Sequence, residues 1–196
     1  MDKNDLLKVL AEDAYNIGFG AKKHFATYDI LEKYPGWVSL VSIGIGIFAL
    51  FVNFLTNNVI SATLIIIGVT TIYIERYSDK KDSYCKAGVE LTNLFNKMKQ
   101  LYFHVKNLTN INEVIDADNE RIQIVNQYNA ICISKQICFS DWYAHYKFFW
   151  QHQIEWIDEQ KKFRLLRDKI PLSFWAFIIL VLVIGVLVFF KTKGRM

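Results

Sequence analysis

WVSLVSIGIGIFALFVNFLTNNVISATLIIIGVTTIYI, Trp37 to Ile74, decides how the rest of the chain is read. None of these residues is charged. As a helix, Trp37–Leu55 would cover about 28 Å, close to the ~30 Å hydrocarbon thickness of a bilayer. Thr56–Asn58 reads as a turn, and Val59–Ile74 as a second segment of about 24 Å. Tyr73, Glu75, Arg76 and Tyr77 are placed to sit at headgroup level. Two apolar runs joined so tightly predict a membrane-embedded helical hairpin, with Pro35 and Gly36 punctuating its entry.

Hydrophobic residues make up 53% of the chain, but their excess is concentrated in this run and in a second, Pro171–Phe190, also free of charge. That unevenness marks a membrane protein with polar parts rather than a soluble domain. Leu172–Phe190 would also cover about 28 Å as a helix. Pro171 suits the first turn of a helix that starts afresh there. The run is preceded by Lys161, Lys162, Arg164, Arg167 and Lys169 and followed by Lys191, Lys193 and Arg195, so it reads as a third span. The hairpin tip carries no Lys or Arg, whereas Lys22, Lys23 and Lys33 precede the hairpin and Arg76, Lys80 and Lys81 follow it. The excess of cations on cytoplasmic flanks then predicts a multi-pass inner-membrane protein with its N-terminus in the cytoplasm.

The expected organisation is all-α. Residues 1–35 form an amphipathic cytoplasmic helix, 36–75 a transmembrane hairpin, 76–169 a cytoplasmic helical bundle or coiled coil, and 170–191 a C-terminal transmembrane helix. Two seams support the helical reading. Leu7, Leu10, Ala14, Ile17, Ala21, His24, Tyr28 and Leu31 recur at helical spacing. Tyr84, Ala87, Leu91, Leu94, Met98, Leu101, Val105 and Leu108 alternate steps of three and four. The second is a heptad pattern, and Leu91, Leu94, Met98, Leu101, Val105 and Leu108 are read as an oligomerisation seam. Asn107–Glu120 interrupts it with turn formers. Arg121 to about Lys169 reads as helix again, of roughly 70 Å and so expected to bend. Its predicted seam is Ile122, Val125, Cys132, Phe139, Tyr143, Tyr146, Trp150 and Ile157.

Candidate functional residues fall into two groups. Ser39, Ser42, Gly46, Ala49 and Asn53 share one face of the first apolar run, as a close-packing seam or as the lining of a pore formed by several copies. The aromatic-rich stretch FSDWYAHYKFFWQHQIEW reads as a buried bundle face. Its alternative is a ligand-sensing surface in which Trp142, Tyr146 and Trp150, with Arg164 and Arg167, stack and charge-pair a nucleotide. Catalytic motifs for phosphate cradling, acyl transfer or zinc proteolysis are missing, so no enzyme is expected. His145, His152 and Glu155 make too thin a ligand set for a metal site. Between Glu75 and Lys169, 15 basic residues face 13 acidic ones, which leaves no patch for nucleic acid. Cys85, Cys132 and Cys138 fit no metal or redox spacing and read as reduced thiols.

AYNIGFGAKKHFATYDILEKYPGW (Ala14–Trp37), leading into a charge-free hairpin, resembles the SLATT family of two-helix membrane effectors. IEWIDEQKKFRLLRDKIPLSF (Ile154–Phe174) is similar to sequences of the same group. The resemblance implies a pore-forming or membrane-disrupting effector of bacterial antiphage, abortive-infection defence, gated through its cytoplasmic helices. It implies the lipid bilayer and further copies of the chain as partners, with a nucleotide second messenger as candidate trigger. A nucleotide-signal synthase or sensor encoded nearby is then expected. The alternative is a membrane-anchored coiled-coil scaffold or receptor that recruits a soluble partner.

Overall fold

The computed structural model describes residues 2–193, and all its regular structure is helical. Helix α1 runs unbroken from Lys3 to Ala49, about 70 Å. The Asp2 carboxylate caps it by accepting from the Asp5 N–H at 2.7 Å. Pro35 lies inside α1, so the expected punctuation at 35/36 does not interrupt the helix. Proline removes one hydrogen bond from the ladder, but a full break would strip more amides of partners just where the apolar run begins. On the far side of the proline, the Ser39 hydroxyl donates to the Pro35 carbonyl at 2.9 Å.

The hairpin is completed by α2, Asn58–Glu75. Its turn is wider than Thr56–Asn58, because α1 stops at Ala49 and a 3-10 turn occupies Asn53–Thr56. Asn57 then caps α2 by accepting from the Val59 N–H at 2.9 Å. Among the described residues, α2 is the one helix both long and apolar enough to cross a membrane, and almost none of it is buried.

The remaining helices are α3 (Lys81–Asn107), α4 (Ile111–Ile131), α5 (Ser140–Gln151), α6 (Glu155–Lys161) and α7 (Leu172–Lys193). The long helix expected over Arg121–Lys169 is therefore three pieces, and only α7 matches the last apolar run. The predicted seam holds only in part: Ile157 is buried and Val125 and Cys132 pack against the core, but Ile122, Phe139, Tyr146 and Trp150 are exposed, while Ile124, Ala144, Phe148 and Trp156 are buried. Each break shifts the helical register, and a period read across the breaks selects the wrong face. Arg195, one of the expected terminal cations, lies outside the described residues.

The first half of α1 is the hub of the bundle, contacted by α3 along its length and by α4, α5 and α6. Leu91, Leu94, Met98, Leu101, Val105 and Leu108 are 0–7% exposed and share one core with Leu6, Leu10, Ala14 and Ile17. The seam assigned to contacts between copies is thus consumed inside one chain. Each leucine so buried contributes about 1.5–3 kcal/mol. Arg121 ties α4 to α1 through Asp13 at 2.7 Å and holds its neighbour Asp118 at the same distance.

Gly18 marks the closest approach of α1 to α3 and α5. A Cβ there would lie 2.7 Å from the Phe95 ring and 2.9 Å from the Phe148 ring, and both rings are buried. Gly18→Ala is expected to destabilise the detergent-solubilised chain by about 1–3 kcal/mol, seen as a lower unfolding temperature. Gly36→Ala, with nothing within 4 Å of the new methyl, is expected to leave the melt unchanged or raise it.

Candidate functional site: the junction of hairpin and bundle

Cys132–Phe139, between α4 and α5, is a non-helical strap laid across α1 and α3, and two of its peptide groups bond side chains of those helices. The Ile133 N–H donates to His24 Nε2 at 3.0 Å, and His24 Nδ1 sits 2.7 Å from the Gly20 carbonyl. Because the carbonyl can only accept, the proton resides on Nδ1 and the imidazole is neutral. Thr27 donates to the Gln136 side chain at 2.5 Å, Gln136 donates to the Ile133 carbonyl at 2.7 Å, and the Tyr84 hydroxyl donates to the Lys135 carbonyl. His24, read from sequence as a seam or surface residue, is the hinge of this network and 2% exposed.

The strap also carries Ile137 into a small core with Leu31, Ile74, Tyr77 and Tyr84. These five residues come from the end of the first bundle stretch of α1, the base of α2, the link to α3, α3 itself and the strap. The hairpin and the bundle therefore meet in one apolar knot. Polar contacts flank it: Lys81 bonds Glu32 at 2.5 Å, Asp29 bonds Lys33 at 3.0 Å and also Lys147 of α5, and Tyr34 contacts Thr70 across the hairpin. Burial pushes the Asp29 carboxyl upward, but the Lys147 and Lys33 ammoniums outweigh it and hold the carboxyl below its usual range.

On the opposite side of α5, Trp142, Tyr146 and Trp150 line a 310 Å³ cavity with His145, Pro171 and Phe174. Arg167 instead lines a neighbouring cavity of 510 Å³, with Tyr15, Phe19, Lys161 and Asp168. Arg164 lines neither; its backbone N–H donates to Asp168 Oδ2 at 2.9 Å. Trp142 is further committed to α7, with its indole N–H on the Ser173 hydroxyl at 2.8 Å and its ring edge-on to Phe174 and Phe177. The five predicted sensing residues are thus split, and His145, which borders both cavities, is the shared wall that the sequence did not single out for this role. Its Nδ1 is buried with no hydrogen-bond partner, and burial lowers its pKa. The cations in the larger cavity are already engaged, Arg167 with Asp168 at 3.0 Å and Lys161 with Glu12 at 3.5 Å. An anionic ligand there must displace Asp168.

The other residues singled out scatter by role. Ser42 and Ala49 are half-buried, whereas Ser39, Gly46 and Asn53 are exposed, so the small-residue stripe is not all on one packed face. His152 and Glu155 belong to different elements, since α5 ends at Gln151, and no group of metal-ligating side chains gathers among the described residues. All three thiols are free, with Cys138 exposed on the strap.

The sequence model of the SMODS and SLOG-associating 2TM effector domain 6 family matches residues 1–178. The chain belongs to the SLATT family. The SLATT match takes in the bundle, the hairpin, the strap and the first turns of α7. No curated protein and no solved structure matches the chain. As a SLATT domain it is a membrane effector of conflict systems, and the strap lies within the matched region.

Burial pushes His24 below its usual pKa of 6.5, and burial with nearby Lys22 and Lys99 pushes His152 down to about 4. With both folded values lowered, the unfolded chain binds more protons below about pH 6.5. Stability is complete above that value and falls as pH drops toward the folded pKa values. For His24, protonation also sets two N–H donors face to face at Ile133. The detergent-solubilised chain is expected to unfold at a lower temperature at pH 5 than at pH 7.5. His152→Phe is expected to narrow that gap.

Proposed function

We propose that this SLATT chain is an oligomeric pore-forming or membrane-disrupting effector of antiphage, abortive-infection defence, gated through its bundle. The observation that carries the reading is the contrast along α1. Its first half is the buried hub of a packed bundle, and its second half presents Leu40, Ile43, Ile47 and Phe48 to the surroundings at 55–63% exposure. With α2 equally bare, such a surface is satisfied by lipid. Because both ends of the hairpin return to the same bundle, they lie on one side of the membrane, the cytoplasmic side by the flanking cations. The exposure of Leu172, Ile179 and Leu182 on α7 and its attachment through Trp142 suit a third span in the inner membrane.

One hairpin cannot enclose a pore, so several copies must assemble in closed symmetry. With the α3 seam already used within the chain, copies meet through the hairpins, where Ser39 and Gly46 are exposed and a Cβ added at Gly46 would meet nothing within 4 Å. The same use of the seam argues against a coiled-coil scaffold. The effector acts on the bilayer rather than by chemistry, and its trigger is a signal sensed by the bundle. A nucleotide second messenger made by a nearby synthase fits the aromatic cavities beside α5, with Arg167 released from Asp168 to meet phosphate.

Reconstituted wild-type protein, once triggered, is expected to release dye from liposomes and to run in detergent as a higher oligomer. Gly46→Leu is expected to abolish both while leaving the bundle melt intact. A stable monomer or dimer that leaves liposomes sealed would replace this reading with the scaffold. Trp150→Ala with Arg167→Ala is expected to block nucleotide-triggered leakage without changing the oligomer.

A further inference from the structure

A partly open apolar cavity of 270 Å³ lies where the strap meets the hairpin, lined by Ile30 and Tyr34 of α1, Thr70 and Tyr73 of α2, and Ile137 and Cys138 of the strap. None of its lining side chains is charged. Its hydroxyls are already engaged with one another. Thr70 donates to the Ile67 carbonyl at 2.7 Å, which leaves its oxygen to accept from Tyr34, and the Tyr73 and Tyr77 hydroxyls are 3.2 Å apart. Water entering the cavity would find few partners, so the space is suited to an apolar occupant.

Position identifies that occupant. The charge-free stretch runs from Tyr34 to Ile74, so Tyr34 opens it and Thr70 and Tyr73 lie within its last five residues. The cavity is open on one side, and the α2 residues next in sequence to its Thr70 and Tyr73 walls, Val69 and Ile72, are 59% and 66% exposed. Phe139 stands at the rim, held in the left-handed region with φ 67° and 60% exposed. That backbone costs a bulky residue about 1–2 kcal/mol, and here it turns the chain into α5 while leaving the ring outward.

We propose that this cavity binds the acyl tail of a bilayer lipid, which becomes a strut between the hairpin and the strap. The inference rests on the hairpin being embedded. A bound tail packs on Ile137, the residue that joins the strap to the junction core, so lipid occupancy and strap seating stabilise each other. Any movement that lifts the strap away from His24 and Tyr84 opens the cavity and releases the tail.

The test uses the full chain in phosphatidylethanolamine–phosphatidylglycerol vesicles doped with a phosphatidylcholine that carries a diazirine on its acyl chain. After photolysis, mass mapping is expected to find adducts on Ile65 and Ile66, which face outward on α2, and also on Ile137 and Cys138. Thr70→Phe and Cys138→Trp fill the cavity from opposite walls. Each is expected to remove the adduct on Ile137 and keep those on α2. Adducts on α2 without any on the strap would overturn the lipid site and leave the embedded hairpin standing. Loss of both sets would overturn the embedding and the site together. Strap adducts that persist in both filled variants would also contradict the proposal, as would labelling by a diazirine fatty acid in detergent that the vesicle lipid does not reproduce.

Discussion

The continuity of α1 is the constraint on which the molecule depends. One helix supplies both the hub of the bundle and the first arm of the hairpin. A helix is stiff over this length because each turn is braced by the next, so the two halves cannot be repacked independently. Whatever changes the contacts of α1 with α3 and α5 tilts or turns the hairpin arm. Pro35 removes one hydrogen bond from the shaft at the place where it leaves the bundle, but the helix runs through it unbroken.

The junction beside Pro35 explains why the strap exists. A connection between two helices could have run over the surface, bonded to water. Here its backbone is bonded to His24, Tyr84 and Gln136, and its Ile137 is buried at the base of the hairpin. Those contacts bring α3, α5 and the hairpin into a single knot, and α5 in turn holds the start of α7 through Trp142. Both cavities beside α5 are therefore joined to the apolar segments by packed side chains rather than by a flexible linker.

How much of this was legible in the sequence depended on what each pattern reports. The seams of α1 and α3 are legible in the sequence, and all their residues but the half-buried Tyr28 are buried, because an apolar period of 3.6 follows from burial against any neighbour. The same period does not say whose neighbour it is, and the α3 residues assigned to other copies turned out to face α1. Pro35 and Gly36 misled because local propensity favours a break, while the apolar surroundings penalise one. The strap was invisible. Cys132–Phe139 contains neither Gly nor Pro, and it leaves the helix only because side chains more than a hundred residues away along the chain offer better partners. The aromatic stretch was legible as a candidate site in composition but not in geometry. Trp150 and Trp156 look like neighbours, yet one is 65% exposed on α5 and the other is core on α6.

The coupling of bundle to hairpin depends on α1 acting as one rigid shaft, and a single distance tests it. Spin labels at Asn16→Cys and Ile43→Cys, both exposed and on opposite sides of Pro35, would be placed in a chain with Cys85, Cys132 and Cys138 replaced by serine. An unbroken helix predicts one narrow distribution centred at about 40 Å in bilayer nanodiscs. A broad distribution, or one centred well below that distance, would mean that the bundle and the hairpin are hinged at Pro35 and would contradict the account.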